Sequence, residues 1–186
     1  MSALDPKTLI IIVVAIVVAI AIVWAVVRKQ RTTALRKRFG PEYERAVREH
    51  GPRGESVLLQ REKRVDKLQL RELAVDEREH FITEWRTVQS HFVDDPKGTV
   101  SDADALVTRL MQARGYPMSD FEQRAADISV DHPRVVDNYR AAHEIALRHS
   151  RGEATTEDMR NALIYYRSLF DELLQTRPVD ENKKVA

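Results

Sequence analysis

Residues 9–27 read LIIIVVAIVVAIAIVWAVV, nineteen positions without a charged side chain. As a helix the run is about 28 Å long, close to the roughly 30 Å hydrocarbon core of a bilayer, so it predicts a transmembrane helix. Its many β-branched residues are no obstacle there, because in lipid only a helix satisfies its own backbone hydrogen bonds. Trp24 suits the interfacial end. The run is longer than a signal-peptide core, and no small-x-small site precedes the basic residues after it, which favours a retained anchor over a cleaved leader. Ala15 with Ala19, and Ala21 with Ala25, have the spacing that lets two membrane helices approach, but in an Ala-rich run this spacing arises easily by chance.

Beyond residue 27 the pattern turns helical and amphipathic. The polar stretch to residue 38 stops at Phe39-Gly40-Pro41, and Pro41 opens a short helix ending at His50 before Gly51-Pro52. Residues 55–73 carry a thin stripe, Val57, Leu58, Val65, Leu68 and Leu73, which suits edge packing better than a coiled coil because Arg61 and Glu72 fall on seam positions. Asp76 and Glu79 have capping-box spacing, and Phe81, Trp85, Val88 and Phe92 follow on one face. After Asp94-Asp95-Pro96, the set Val100, Ala103, Leu106, Val107, Leu110 and Met111 runs to Gly115. Ser119 is placed to cap a helix with Phe121, Ala125 and Ile128. Pro133 is placed to open one with Val135, Val136, Tyr139, Ala142, Ala146 and Leu147. Thr155 with Asp158 is placed to cap the last, with Met159, Leu163, Tyr166, Phe170, Leu173 and Leu174 on its inner face.

No run of period-two alternation stands out, and no repeat of fixed length is present. The expected fold class is all-α: an N-terminal transmembrane helix followed by a small bundle of short antiparallel helices. The segments are a short tail 1–8, the span 9–27, a basic jointed linker 28–54, a charged helix 55–75, a helical domain 76–175 and a polar tail 176–186.

Charge adds an orientation. Arg28, Lys29, Arg31, Arg36, Lys37 and Arg38 follow the apolar run, against Lys7 before it, so the positive-inside rule places the N-terminus outside and the domain in the cytoplasm. The same cations can lie on anionic lipid headgroups. Residues 39–186 hold 23 bases against 28 acids, net −5, which argues against a nucleic-acid partner. The absence of cysteine excludes disulfides, thiolate ligands and cysteine nucleophiles.

Candidate chemistry is sparse. Six histidines are scattered over different segments. His80 and Glu84 share a helix face without a third ligand, and His143-Glu144 begins an H-E-x-x-H pattern that fails at Leu147. Asp131-His132-Pro133 reorders the J-domain tripeptide and does not qualify. No phosphate loop, dinucleotide fingerprint or nucleophile elbow is present, so no catalytic, cofactor or metal residue is assigned. The most distinctive polar group is Asp127, Asp131, His132, Arg134 and Asn138, readable as an interaction surface or as helix caps and solvated flanks.

Around Arg114-Gly115-Tyr116-Pro117, residues 120–127 and residues 131–136, the chain resembles a family of uncharacterised bacterial single-pass membrane proteins. The resemblance implies a bacterial inner-membrane setting and transfers no activity. The expected function is a membrane-anchored helical adaptor, touching lipid through residues 9–38 and a protein partner or a second copy through its domain. The alternatives are an enzyme or metal-binding domain built from the scattered His and acidic residues, and a sensor of anionic lipid surfaces.

Overall fold

A computed structural model describes residues 6–175, with the side chains of the first helix described at Ile12 and from Ala15 onward. The expected tails thus lie wholly or mostly outside the described residues. Eight α-helices account for the described chain, and no strand occurs among these residues. They are α1 (Pro6–Phe39), α2 (Pro41–His50), α3 (Gly54–Val65), α4 (Val75–Ser90), α5 (Pro96–Ala113), α6 (Phe121–Asp131), α7 (Val136–Ser150) and α8 (Thr156–Gln175). The all-α expectation holds.

The helix α1 continues unbroken through the apolar run and the basic stretch to Phe39. Among the described residues no helix is long and apolar enough to cross a membrane. Ile16, Val17, Val18, Ile20, Ile22, Val23, Trp24, Val26 and Val27 are all about half exposed or more. Only at its C-terminal end does α1 join the fold, where Leu35 and Phe39 are buried.

Two apolar cores follow. The larger is built from α4, α5, α6, α7 and α8, with Leu106, Leu110, Met111, Ile128, Tyr139, Tyr166, Leu169, Phe170 and Leu173 at its centre. The smaller gathers Leu35, Phe39, Tyr43, Ala46, Leu58 and Val65 from α1, α2 and α3 around Val130 of α6. The two meet across α6, which sends Ala125 and Ile128 one way and Val130 the other. A helix apolar on two faces has to be covered on both, and this fixes α6 as the middle layer.

Several boundaries differ from the sequence expectation. The charged helix ends at Val65 rather than Leu73, because the chain turns through Lys67 N–H to Arg64 O (3.1 Å) and Leu68 N–H to Val65 O (2.9 Å). It then crosses in extended form, Arg71 N–H donating to Arg114 O at 3.0 Å, so Leu73 enters the larger core from a strap and not from a helix. Ala74 is the N-cap of α4, and Glu77, in place of Glu79, receives the free Ala74 N–H at 2.9 Å. Hydrogen bonding to Arg71 and then to that N–H holds the Glu77 carboxyl down at about 2. Asp120, not Ser119, caps α6 through Gln123 N–H (2.9 Å). Pro133 lies in a turn, and α7 begins at Val136. Leu147 is 42% exposed and outside the core. The Thr155–Asp158 box forms as expected, with both reciprocal bonds made.

The strap locks against Gly115, whose φ is +95° and whose Cβ, if it had one, would stand 2.4 Å from Gln69 O. Gly152 also has positive φ (+74°) but faces open space. Alanine at Gly152 therefore costs only the left-handed backbone, about 1–2 kcal/mol, whereas alanine at Gly115 also displaces the strap and costs at least about 1 kcal/mol more. Urea unfolding of the two variants compares them directly.

Candidate functional site at the α6 seam

Glu42 sits in the first turn of α2, four residues before Ala46 and next to Tyr43, on the face that α2 turns toward the bundle. Its side chain is 1% exposed. Arg61 of α3 reaches it at 2.6 Å, and Arg140 of α7 grips both its oxygens at 2.7 and 2.9 Å. One carboxylate thus ties three helices whose residues lie up to 98 positions apart. Arg61 also lies 3.4 Å from Ser129 Oγ. Beside it, Arg64 Nε meets Asp127 of α6 at 3.0 Å, with Gln123 Nε2 donating to the same oxygen at 2.7 Å. Arg38 of α1 pairs with Glu62 of α3. Burial pushes the Asp127 carboxyl up, against the opposing pull of Gln123 and Arg64.

The five residues singled out in the sequence are dispersed by the fold. Asp127 is buried in this seam. Asp131, partly buried, accepts from the Tyr116 hydroxyl at 3.3 Å; burial is the main cause that raises both groups. His132 is 1% exposed, with Nδ1 3.4 Å from Glu172 Oε1 and Nε2 without a partner among the described residues. Asn138 donates to Ser168 Oγ of α8 at 2.9 Å, and Arg134 alone of the five is exposed. Four of them therefore tie helices together inside the domain. His80 and Glu84 do share a helix face, 3.5 Å apart, but Glu84 also takes Arg109 of α5 at 2.9 Å. No group of three or more His, Asp or Glu side chains is placed to hold a metal among the described residues.

Of the six basic residues after the apolar run, Arg36 and Arg38 are engaged within the fold. Arg36 lies 3.3 Å from Glu44 and over the Tyr43 ring, and Arg38 holds Glu62. Arg28 folds back over Trp24, 5.2 Å from the ring centre. Lys29, Arg31 and Lys37 are exposed. On the same side, Glu55 accepts from Thr32 at 2.7 Å and from Tyr43 at 2.9 Å, and the Thr32 bond is the main cause that holds its carboxyl below the ordinary range.

The seam opens on one side into a groove of about 830 Å³ between α6 and α7. Its floor is Phe121 stacked on His143, ring centres 3.6 Å apart and 10° from parallel, with Leu147 at one end. Asp120, Glu122, Asp137 and Glu144 stand around it against Arg45 and Arg140. His143 Nδ1 is buried without a partner among the described residues, and burial pushes the ring's basicity down.

Glu42, Arg61 and Arg140 went unnoticed in the sequence. The usable signal was Glu42 on the same helical face as Ala46, a charge where an apolar residue belongs; its two cationic partners carried none. Comparison with protein-family models, with curated proteins and with solved structures finds no match.

Removing one partner of a buried ionic group strands the others, at about 3–5 kcal/mol. Glu42→Ala is expected to lose about that much, while Glu84→Ala, in a more exposed pair, loses under about 1 kcal/mol by the same chemical denaturation. A pH prediction follows from the histidines. Burial lowers His132 and His143 from the ordinary 6.5, so the unfolded chain binds protons more readily than the folded one. Stability is then full above about pH 7 and falls as pH drops through 6.5. The raised Asp127 and Asp131 act in the opposite sense, so the histidines are identified by their own effect on the slope below pH 7. The double variant His132→Gln, His143→Gln is expected to flatten it.

Proposed function

We propose that this chain is a single-pass membrane-anchored helical interaction protein, whose domain is held close to the inner face of the membrane by a helix that runs directly into its core. The observation that carries the reading is α1 itself. It is apolar on every face over residues 15–27, exposes those faces, and belongs in sequence to the nineteen-residue run that begins at residue 9. A helix hydrophobic all round needs a hydrophobic medium, and the described fold offers it none. The exposed Lys29, Arg31 and Lys37 fall where the run gives way to polar sequence. They support an outside N-terminus and a cytoplasmic domain in a bacterial inner membrane.

The adaptor reading draws its support from the α6–α7 groove, where exposed Leu147 and the Phe121–His143 stack sit among four acids. Such a surface fits a segment of a protein partner with basic and apolar side chains. Arg61, Glu62 and Arg64 of α3 pair with neighbouring helices and His132 is buried, which favours α6 and α7 as the partner surface.

The absence of native cysteine makes the anchor testable. Ser2→Cys is expected to react with a membrane-impermeant maleimide on intact cells, and Ser101→Cys only after permeabilisation. Recovery of the chain in the soluble fraction, or the reverse labelling, would contradict the reading. For the partner surface, a photocrosslinking residue at Leu147 is expected to give a discrete adduct in native membranes, and one at Arg160 none. Absence of adducts at both positions would count against the α6–α7 surface.

A further inference from the structure

The helices α4 and α8 both pack on α5 and leave a groove of about 420 Å³ between them, remote in sequence from the seam residues. Trp85 of α4 and Phe170 of α8 form its floor, stacked with ring centres 4.7 Å apart and 25° from parallel. Both are core residues, 4% and 1% exposed, so the floor is rigid. Three arginines line the groove: Arg78 and Arg86 from α4, and Arg167 from α8. Asp171 is the one acid among the lining residues, and it lies 3.4 Å from Arg167. Arg78 and Arg86 have no carboxylate partner among the described residues. The Trp85 indole N–H is buried and also has no acceptor.

This is a local excess of two positive charges in a region of the chain that is net acidic. Arginines left unneutralised beside an apolar floor are the arrangement that takes a carboxylate on a flat apolar body, the guanidinium fork matching the two oxygens. The volume is that of a small-molecule site.

We infer that the α4–α8 groove binds a small monoanionic carboxylate, its carboxylate at Arg78 and Arg86 and its apolar body beside Ile82, Leu174 and the Trp85 edge. The inference stands apart from the membrane reading and survives its failure. It gives the domain an input on the side of the bundle away from the α6–α7 groove.

The chain has two tryptophans, Trp24 and Trp85, so indole-labelled full-length protein in detergent shows one resonance for the groove and one for the apolar run. The probe is 2-naphthoate, with neutral 2-naphthamide as its control. Naphthoate is expected to move the Trp85 signal saturably, with half-saturation below about 1 mM, and Trp24 only in proportion to concentration. Naphthamide is expected to bind at least tenfold more weakly. The double variant Arg78→Gln, Arg86→Gln changes two exposed side chains, so the Trp85 signal should keep its position without probe while naphthoate affinity falls at least tenfold. Equal binding of the amide, unchanged binding by the arginine variant, or parallel unsaturable shifts of both indoles would each overturn the inference. A chain ended after Gln175 should bind within threefold of the full chain. A gain above tenfold would assign the groove to the chain's own terminal segment instead.

Discussion

The buried carboxylate of Glu42 holds the architecture together. It has a guanidinium from α3 on one side and one from α7 on the other. Without it, the small core of α1, α2 and α3 would rest on the bundle through Val130, a few partly buried apolar neighbours and the Arg64–Asp127 pair. A buried ionic junction of this kind adds little net stability compared with an apolar replacement, because desolvation offsets most of the attraction. What it adds is a defined geometry, since guanidinium and carboxylate accept few relative orientations. The angle at which α1 leaves the domain depends on that geometry.

The same constraint explains why polar residues crowd α6. A middle-layer helix must cover two cores, and the ring of contacts between them has to be satisfied by hydrogen bonds. Asp127 with Arg64 and Gln123, Ser129 near Arg61, and Asp131 with Tyr116 do this in succession along eleven residues. The polar cluster prominent in the sequence is therefore mostly the mortar of the domain. The α6–α7 and α4–α8 grooves lie outside this cluster.

Much of the fold was legible in the chain because its signals were local. The stripes of α5 and α8, the Gly40-Pro41 joint and the Thr155–Asp158 box depend on residues within a few positions of one another. The end of α3 was not legible, since Leu68 and Leu73 keep helical spacing while serving an extended strap whose partner, Gly115, lies some forty residues on. The cap of α4 was misread for a related reason: Arg71 outside the helix recruits Glu77, and Ala74 offers no side-chain acceptor to mark the start. Of the ionic junction only Glu42, a charge on the Ala46 face, left a trace in periodicity; its pairing with Arg140 across 98 residues left none. The grooves are likewise products of packing, Trp85 and Phe170 reading in sequence only as core.

In the proposed membrane setting, α1 and the bundle act as one stiff unit, so that the anchor sets the position of the domain beside it. With no native cysteine in the way, spin labels at Ala34→Cys and Ser101→Cys in bilayer-reconstituted protein measure this by pulsed electron resonance. One narrow distance distribution is expected, broadening when Glu42 is replaced by alanine. A broad or two-peaked distribution in the unaltered protein would contradict it.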